Sequence, residues 1–116
     1  MTRAVAKIPR TDGYRSDAER AWANQGAHYL AMEYACPVAV TYYEPFTIKL
    51  PGGKYTPDFL HILANGTIVF VEIKGSRKQP NYRDARSKLR AAAEIHPWAD
   101  WIEAVGSSHF EIERIK

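Results

Sequence analysis

Two carboxylates and one amine stand at a spacing that could do chemistry on a phosphate. Asp58 follows Pro57, thirteen residues intervene, and Glu72-Ile73-Lys74 completes the set. The acids lie at the ends of runs rich in β-branched and aromatic residues, where an unpaired charge is costly. Two carboxylates side by side also repel each other. A hard divalent cation such as Mg²⁺ relieves that repulsion, taking carboxylate oxygens at about 2.1 Å and keeping several waters. A lysine beside it can orient or help deprotonate a water, and can stabilise charge developing on a phosphate. Cation, water and amine together are the equipment for phosphodiester hydrolysis.

The element that must bring them together is a β-hairpin over Tyr55 to Gly75, with Ala64-Asn65-Gly66 at its turn. Asn-Gly is a strong hairpin signal. A two-residue turn would set Asp58 against Ile73 and leave the two acids on opposite faces. A three-residue loop with Gly66 in the left-handed conformation pairs Leu63 with Thr67 instead. Asp58 then lies directly opposite Glu72, with Cβ atoms roughly 4.5–5.5 Å apart and Lys74 on the same face. This register predicts Leu60, Ile62, Ile68 and Phe70 on the Asp58 face and Phe59, Leu63, Val69 and Val71 on the other. Both faces are apolar, as in a central sheet covered on both sides.

The arrangement Pro57-Asp58 … Glu72-Ile73-Lys74, with the flanks Tyr55-Thr-Pro-Asp-Phe and Val71-Glu-Ile-Lys-Gly75, resembles the signature of the PD-(D/E)xK nuclease superfamily. It is most similar to small phage-encoded members of the endonuclease I type, which resolve Holliday junctions. The resemblance implies a restriction-endonuclease-like αβββαβ core, here with an added C-terminal edge strand, in an α/β (α+β, mixed-sheet) domain. It implies a Mg²⁺-dependent endodeoxyribonuclease, with Mn²⁺ able to substitute. The metal would be held by Asp58, Glu72 and the carbonyl of Ile73, and Lys74 would position the attacking water. An acid on the first helix commonly joins such a site, and Glu19 is the first candidate, with Glu33 the second. Branched DNA as substrate and the cytoplasm of a phage-carrying bacterium follow from the same likeness, and a homodimeric active form is expected because a symmetric junction needs two opposed cuts.

The remaining chain supports one domain over residues 1–116, about two-thirds of whose unfolded surface can be buried. Residues 1–13 read as a loose basic arm. Ser16-Asp17-Ala18-Glu19 has the form of a capping box, which gives Glu19 a role that needs no chemistry. The helix after it carries Ala18, Trp22, Tyr29, Leu30 and Met32, with Gly26 as a weak point, and stops before Pro37. Val38 to Leu50 reads as a strand broken or ended at Pro45, and Pro51-Gly52-Gly53-Lys54 as a turn. His61 suits a half-buried core position better than a metal site, because no second histidine stands at ligand spacing. Trp98 and Trp101 suit packing better than base stacking. Strands are expected over Trp101–Val105, parallel to the Glu72 strand, and over His109–Ile115.

Net charge is +3 and the pI near 9.1, which permits nucleic-acid binding without requiring it. A single cysteine, Cys36, excludes an internal disulfide and suits a reducing compartment, and no apolar run reaches membrane-spanning length. The charge is concentrated after Gly75. From Lys74 to Arg90 there are seven basic residues and one acid, Asp84. Arg77, Lys78, Arg83, Arg86, Lys88 and Arg90, on a loop and a helix from about Asn81 to Ile95, therefore read as a phosphate-backbone track. Two rival readings remain: a nucleic-acid-binding module without turnover, and a subunit of a larger transposase or restriction complex.

Overall fold

The computed structural model describes residues 13–115, so the expected N-terminal arm lies almost wholly outside the described residues. The chain runs α1 (Asp17–Tyr34), β1 (Val38–Tyr43), β2 (Ile48–Leu50), β3 (Gly53–Tyr55), β4 (Phe59–Leu63), β5 (Ile68–Lys74), α2 (Tyr82–Ile95), β6 (Asp100–Gly106) and β7 (Phe110–Ile115). Five strands form one mixed sheet in the order β1-β4-β5-β6-β7, and β2 with β3 makes a separate two-stranded sheet. The fold is α+β. Only β5 and β6 run parallel, on either side of α2 in sequence. No helix among the described residues is long and apolar enough to cross a membrane.

The β4–β5 turn sets the register of the site. The Leu63 N–H donates to the Thr67 carbonyl at 2.9 Å, and the Gly66 N–H returns to Leu63. Gly66 has φ of 90°, which a side chain would resist. This is the three-residue loop, and it propagates the pairing Phe59 with Val71 and Leu60 with Phe70. One step further, Asp58 faces Glu72. Counting from the hydrogen-bonded Leu63–Thr67 pair, Asp58–Glu72 is a non-hydrogen-bonded pair, the kind whose side chains approach most closely.

The two faces divide as the alternation predicts. Phe59, Leu63, Val69 and Val71 pack under α1 with Trp22 and Leu30. Leu60 and Phe70 pack with Leu89, Ala92 and Trp101 on the α2 side, where Ile48, Leu50 and Tyr55 of the small hairpin join them.

Three local expectations change. Residues 48–55, read as a strand end and a turn, form a hairpin of their own, because Ile48, Leu50 and Tyr55 find an apolar seat on α2. Met32 is 73 % exposed, on the outer side of α1 rather than in its core stripe. Gly26 is no weak point. A Cβ there would lie 2.3 Å from the Trp22 indole, so its bareness is what lets Trp22 lie against the helix.

Candidate active site

Asp58, Glu72 and Lys74 meet at the C-terminal end of β5, on the wall of a cleft of about 580 Å³. Each is held by local structure. Asp58 precedes β4, and its Oδ2 accepts the Ile73 N–H at 2.7 Å. Pro57 falls opposite Ile73 in the ladder and has no N–H to give, so the Ile73 carbonyl loses its usual partner at this point. The sequence Pro-Asp thus ends the ladder and replaces its last bond with a carboxylate. Glu72 is buried; its Oε1 accepts the Tyr55 hydroxyl at 2.7 Å, and its Oε2 lies 3.2 Å from Lys74 Nζ.

Burial, together with each other's charge, pushes the Asp58 carboxyl well above the ordinary carboxylate range. Glu72 is raised by burial too, against the pull of Lys74 and Tyr55. Tyr55, enclosed and facing Glu72, stays firmly protonated and serves as a donor.

Glu19 reaches the same cleft from the α1 side. Its N–H donates to Ser16 Oγ, as the capping box requires, but its carboxylate does not fold back to Ser16. It accepts from the Arg15 N–H and the Tyr43 hydroxyl instead. Its nearness helps raise Asp58. Among the described residues no three His, Cys, Asp or Glu side chains converge into a closed metal cage. The donors on offer are two carboxylates and a backbone carbonyl, all oxygen, which suits a hard cation that retains waters rather than zinc. Glu33 is at the far end of α1, ion-paired with Arg114 at 3.3 Å, and does not line the cleft.

The expected basic track divides. Lys88 lines the cleft beside Asp84. Arg86 turns the other way and is bound by Glu103 and Glu113, with only 16 % of its side chain exposed. Arg77 pairs with Glu111 at 2.7 Å. These counter-charges sit on β6 and β7, far along the chain, so a one-signed stretch of sequence became a neutralised flank. Lys78, Arg83 and Arg90 remain exposed.

Sequence reasoning missed Tyr43, Tyr55 and Glu103. Glu103 stands beside Glu72 in the parallel register and is buried, with Oε1 bound by Arg86 and Tyr82. Its Oε2 is buried without a partner. An acid inside the apolar run Trp101–Val105 was the available signal.

His61 lies on the α1 face. Trp22 donates its indole N–H to Nε2 at 3.0 Å, and Nδ1 is 2.9 Å from Thr41 Oγ1. Because an indole only donates, the ring is neutral with its proton on Nδ1, given to Thr41. Burial lowers its pKa from 6.5 to about 4. Both nitrogens are used, and His61 is a core residue, more deeply buried than its sequence suggested. Trp101 is core as well, stacked on Phe70 at 4.3 Å, whereas Trp98 is 62 % exposed.

No protein-family model, curated protein or solved structure matches the chain.

Proposed function

We propose that the protein is a metal-dependent endodeoxyribonuclease. The observation that carries this reading is the Asp58–Glu72 pair, two like charges opposite each other with Lys74 beside them in an open cleft. Lys74 and Tyr55 answer Glu72, but among the described residues Asp58 faces it with only the Ile73 N–H as a partner, an arrangement that lowers stability. The resemblance to the PD-(D/E)xK superfamily names the same three residues.

Asp58, Glu72 and the Ile73 carbonyl would hold Mg²⁺ or Mn²⁺, and Glu19 could act on it through water. The bound cation would neutralise phosphate charge and make water a better nucleophile. Tyr55 fixes Glu72 by donating to Oε1, and the Ile73 amide fixes Asp58. Lys74, only 14 % exposed, holds its ammonium at the cleft wall, where it can orient a water and stabilise charge on the scissile phosphate. No covalent enzyme intermediate is required.

Within this reading the favoured substrate is branched DNA in phage DNA metabolism, and the favoured assembly is a homodimer, since two opposed cuts need two sites. The uncharged edge strand β1, Val38-Ala-Val-Thr-Tyr-Tyr43, is the surface we assign to the second copy. The opposite edge, β7, carries Glu111, Glu113 and Arg114, charges of the kind that discourage edge pairing.

The test is purified protein with Mg²⁺ on four-way junction, fork, single-strand and linear duplex DNA in parallel, with sedimentation of the same samples. Chelator-sensitive cleavage, strongest on the junction and by a dimer, is expected. Cleavage that persists in excess chelator would overturn the metal assignment. A cutting monomer would remove the dimer and weaken junction resolution with it.

A further inference from the structure

The small hairpin β2–β3 carries an arrangement that folding alone does not explain. Its inner residues, Ile48, Leu50 and Tyr55, are buried in the α2-side core. On its outer face Lys49 and Lys54 are paired directly across the strands, and both are exposed. Like charges directly opposite in an antiparallel pair are destabilising. None of the ion pairs among the described residues involves either lysine. The repulsion is left standing.

The position of this pair relates it to the cleft. Lys54 precedes Tyr55, whose hydroxyl holds Glu72, and stands four residues before Asp58. A groove of about 300 Å³ runs between the hairpin turn and α2, and shares Asp84 and Lys88 with the cleft wall. The turn at the groove's mouth is Gly52-Gly53, a tip bare of side chains. On the other flank of α2, by contrast, Arg77 and Arg86 are matched by Glu111, Glu103 and Glu113. Lys49 and Lys54, with no acid against them among the described residues, stand on the hairpin side of the cleft.

We infer that hairpin β2–β3 is a second nucleic-acid-contacting element, in which Lys49 and Lys54 grip the sugar-phosphate backbone beside the segment held in the cleft. The inference deepens the nuclease reading and rests on it for the choice of nucleic acid as the anion. A phosphate seated between two lysines turns their mutual repulsion into joint attraction, and each contact releases counterions from the duplex. Tyr55 and Thr56, the residues that follow Lys54, line the cleft and join the hairpin to it.

The experiment compares the full-length wild type with K49Q/K54Q, measuring affinity for a fluorescent duplex by anisotropy over a range of salt concentrations in excess chelator, where no cutting occurs. Two lost phosphate contacts should reduce the slope of log K against log salt by about 2. The melting temperature should hold or rise, because a like-charge pair is removed. A second variant, Lys49→Glu, replaces repulsion with a cross-strand ion pair. It should stabilise the hairpin and still weaken binding, a combination that misfolding cannot produce.

An unchanged slope in both variants overturns the inference, and cleavage by the wild type with Mg²⁺ would then leave the nuclease reading standing. A reduced slope in a protein that never cuts leaves the hairpin contact in place and removes the nuclease. Wild type that binds no duplex at 50 mM salt overturns the hairpin contact outright.

Discussion

Asp58 and His61 are three residues apart at the start of one hairpin strand, and their surroundings are opposites. His61 is wrapped by Trp22 and Thr41, each ring nitrogen has a partner, and the side chain is neutral. Asp58 faces another acid, has a third nearby, and its proton affinity is driven up by burial and by their charge. One cluster is finished by the fold. The other keeps its like charges face to face. On the proposed nuclease reading, the difference separates residues whose loss should harm the fold from residues whose loss should harm turnover.

The largest effect expected from that contrast is on activity. Asp58→Asn should bring cleavage below detection while raising the melting temperature, since removing one of two facing charges relieves the pair. Lys74→Ala should slow turnover by at least about a thousandfold, the scale of losing a placed electrostatic stabiliser. A cut-rate assay beside a thermal melt checks both. A destabilised Asp58→Asn would show that the acid pair supports the fold and would erase the contrast.

Next in size are the core variants, with the opposite sign. His61→Leu strands the Trp22 N–H and the Thr41 hydroxyl, and should cost about 2–4 kcal/mol by urea unfolding. Gly26→Ala drives a methyl into the Trp22 indole and should cost about 1–3 kcal/mol. In both, the cut rate at a temperature where the protein is folded should stay near wild type. A large loss of turnover in folded His61→Leu would place His61 in the chemistry.

Acid should act on the two clusters in opposite directions. His61 has a folded pKa of about 4 against an ordinary 6.5, so its contribution is complete above pH 6.5 and is lost as pH falls toward 4. The loss is about 3 kcal/mol in all. Asp58 and Glu72 have raised folded values, so protonation as pH falls favours the folded state. Urea melts at pH 7, 5.5 and 4 should therefore show a steeper acid loss in Asp58→Asn than in wild type, and a shallower one in His61→Leu. Parallel curves for all three proteins would contradict the assignment.

A smaller effect sharpens the position of Glu19, which belongs to both kinds of cluster. Its N–H is capped by Ser16 and its carboxylate is bound by Arg15 and Tyr43, yet it lines the cleft. Glu19→Gln preserves capping, so an unchanged melting temperature with a cut rate reduced about tenfold is expected of a cleft acid acting through water. An unchanged rate would leave Glu19 as a structural partner of Arg15 and Tyr43 alone.

Much of the site was legible in one dimension because it depends on neighbours. A turn of Ala-Asn-Gly defines which residues face each other, side chains alternate with period two, and so Asp58, Glu72 and Lys74 could be placed on one face before any tertiary contact was known. The helix start at Ser16 and the packing stripe of α2 are local in the same sense. Charge was not legible in this way. Whether a basic residue is free depends on what lies within a few ångströms in space, and the acids that neutralise Arg77 and Arg86 come from strands up to 34 residues away. The short hairpin at 48–55 likewise has too few residues to show a period; it is a hairpin because α2 offers its apolar side a seat. Tyr55 and Tyr43 became the holders of Glu72 and Glu19 for the same reason: a hydroxyl's partner is chosen by the packing of distant elements, and no local pattern records it.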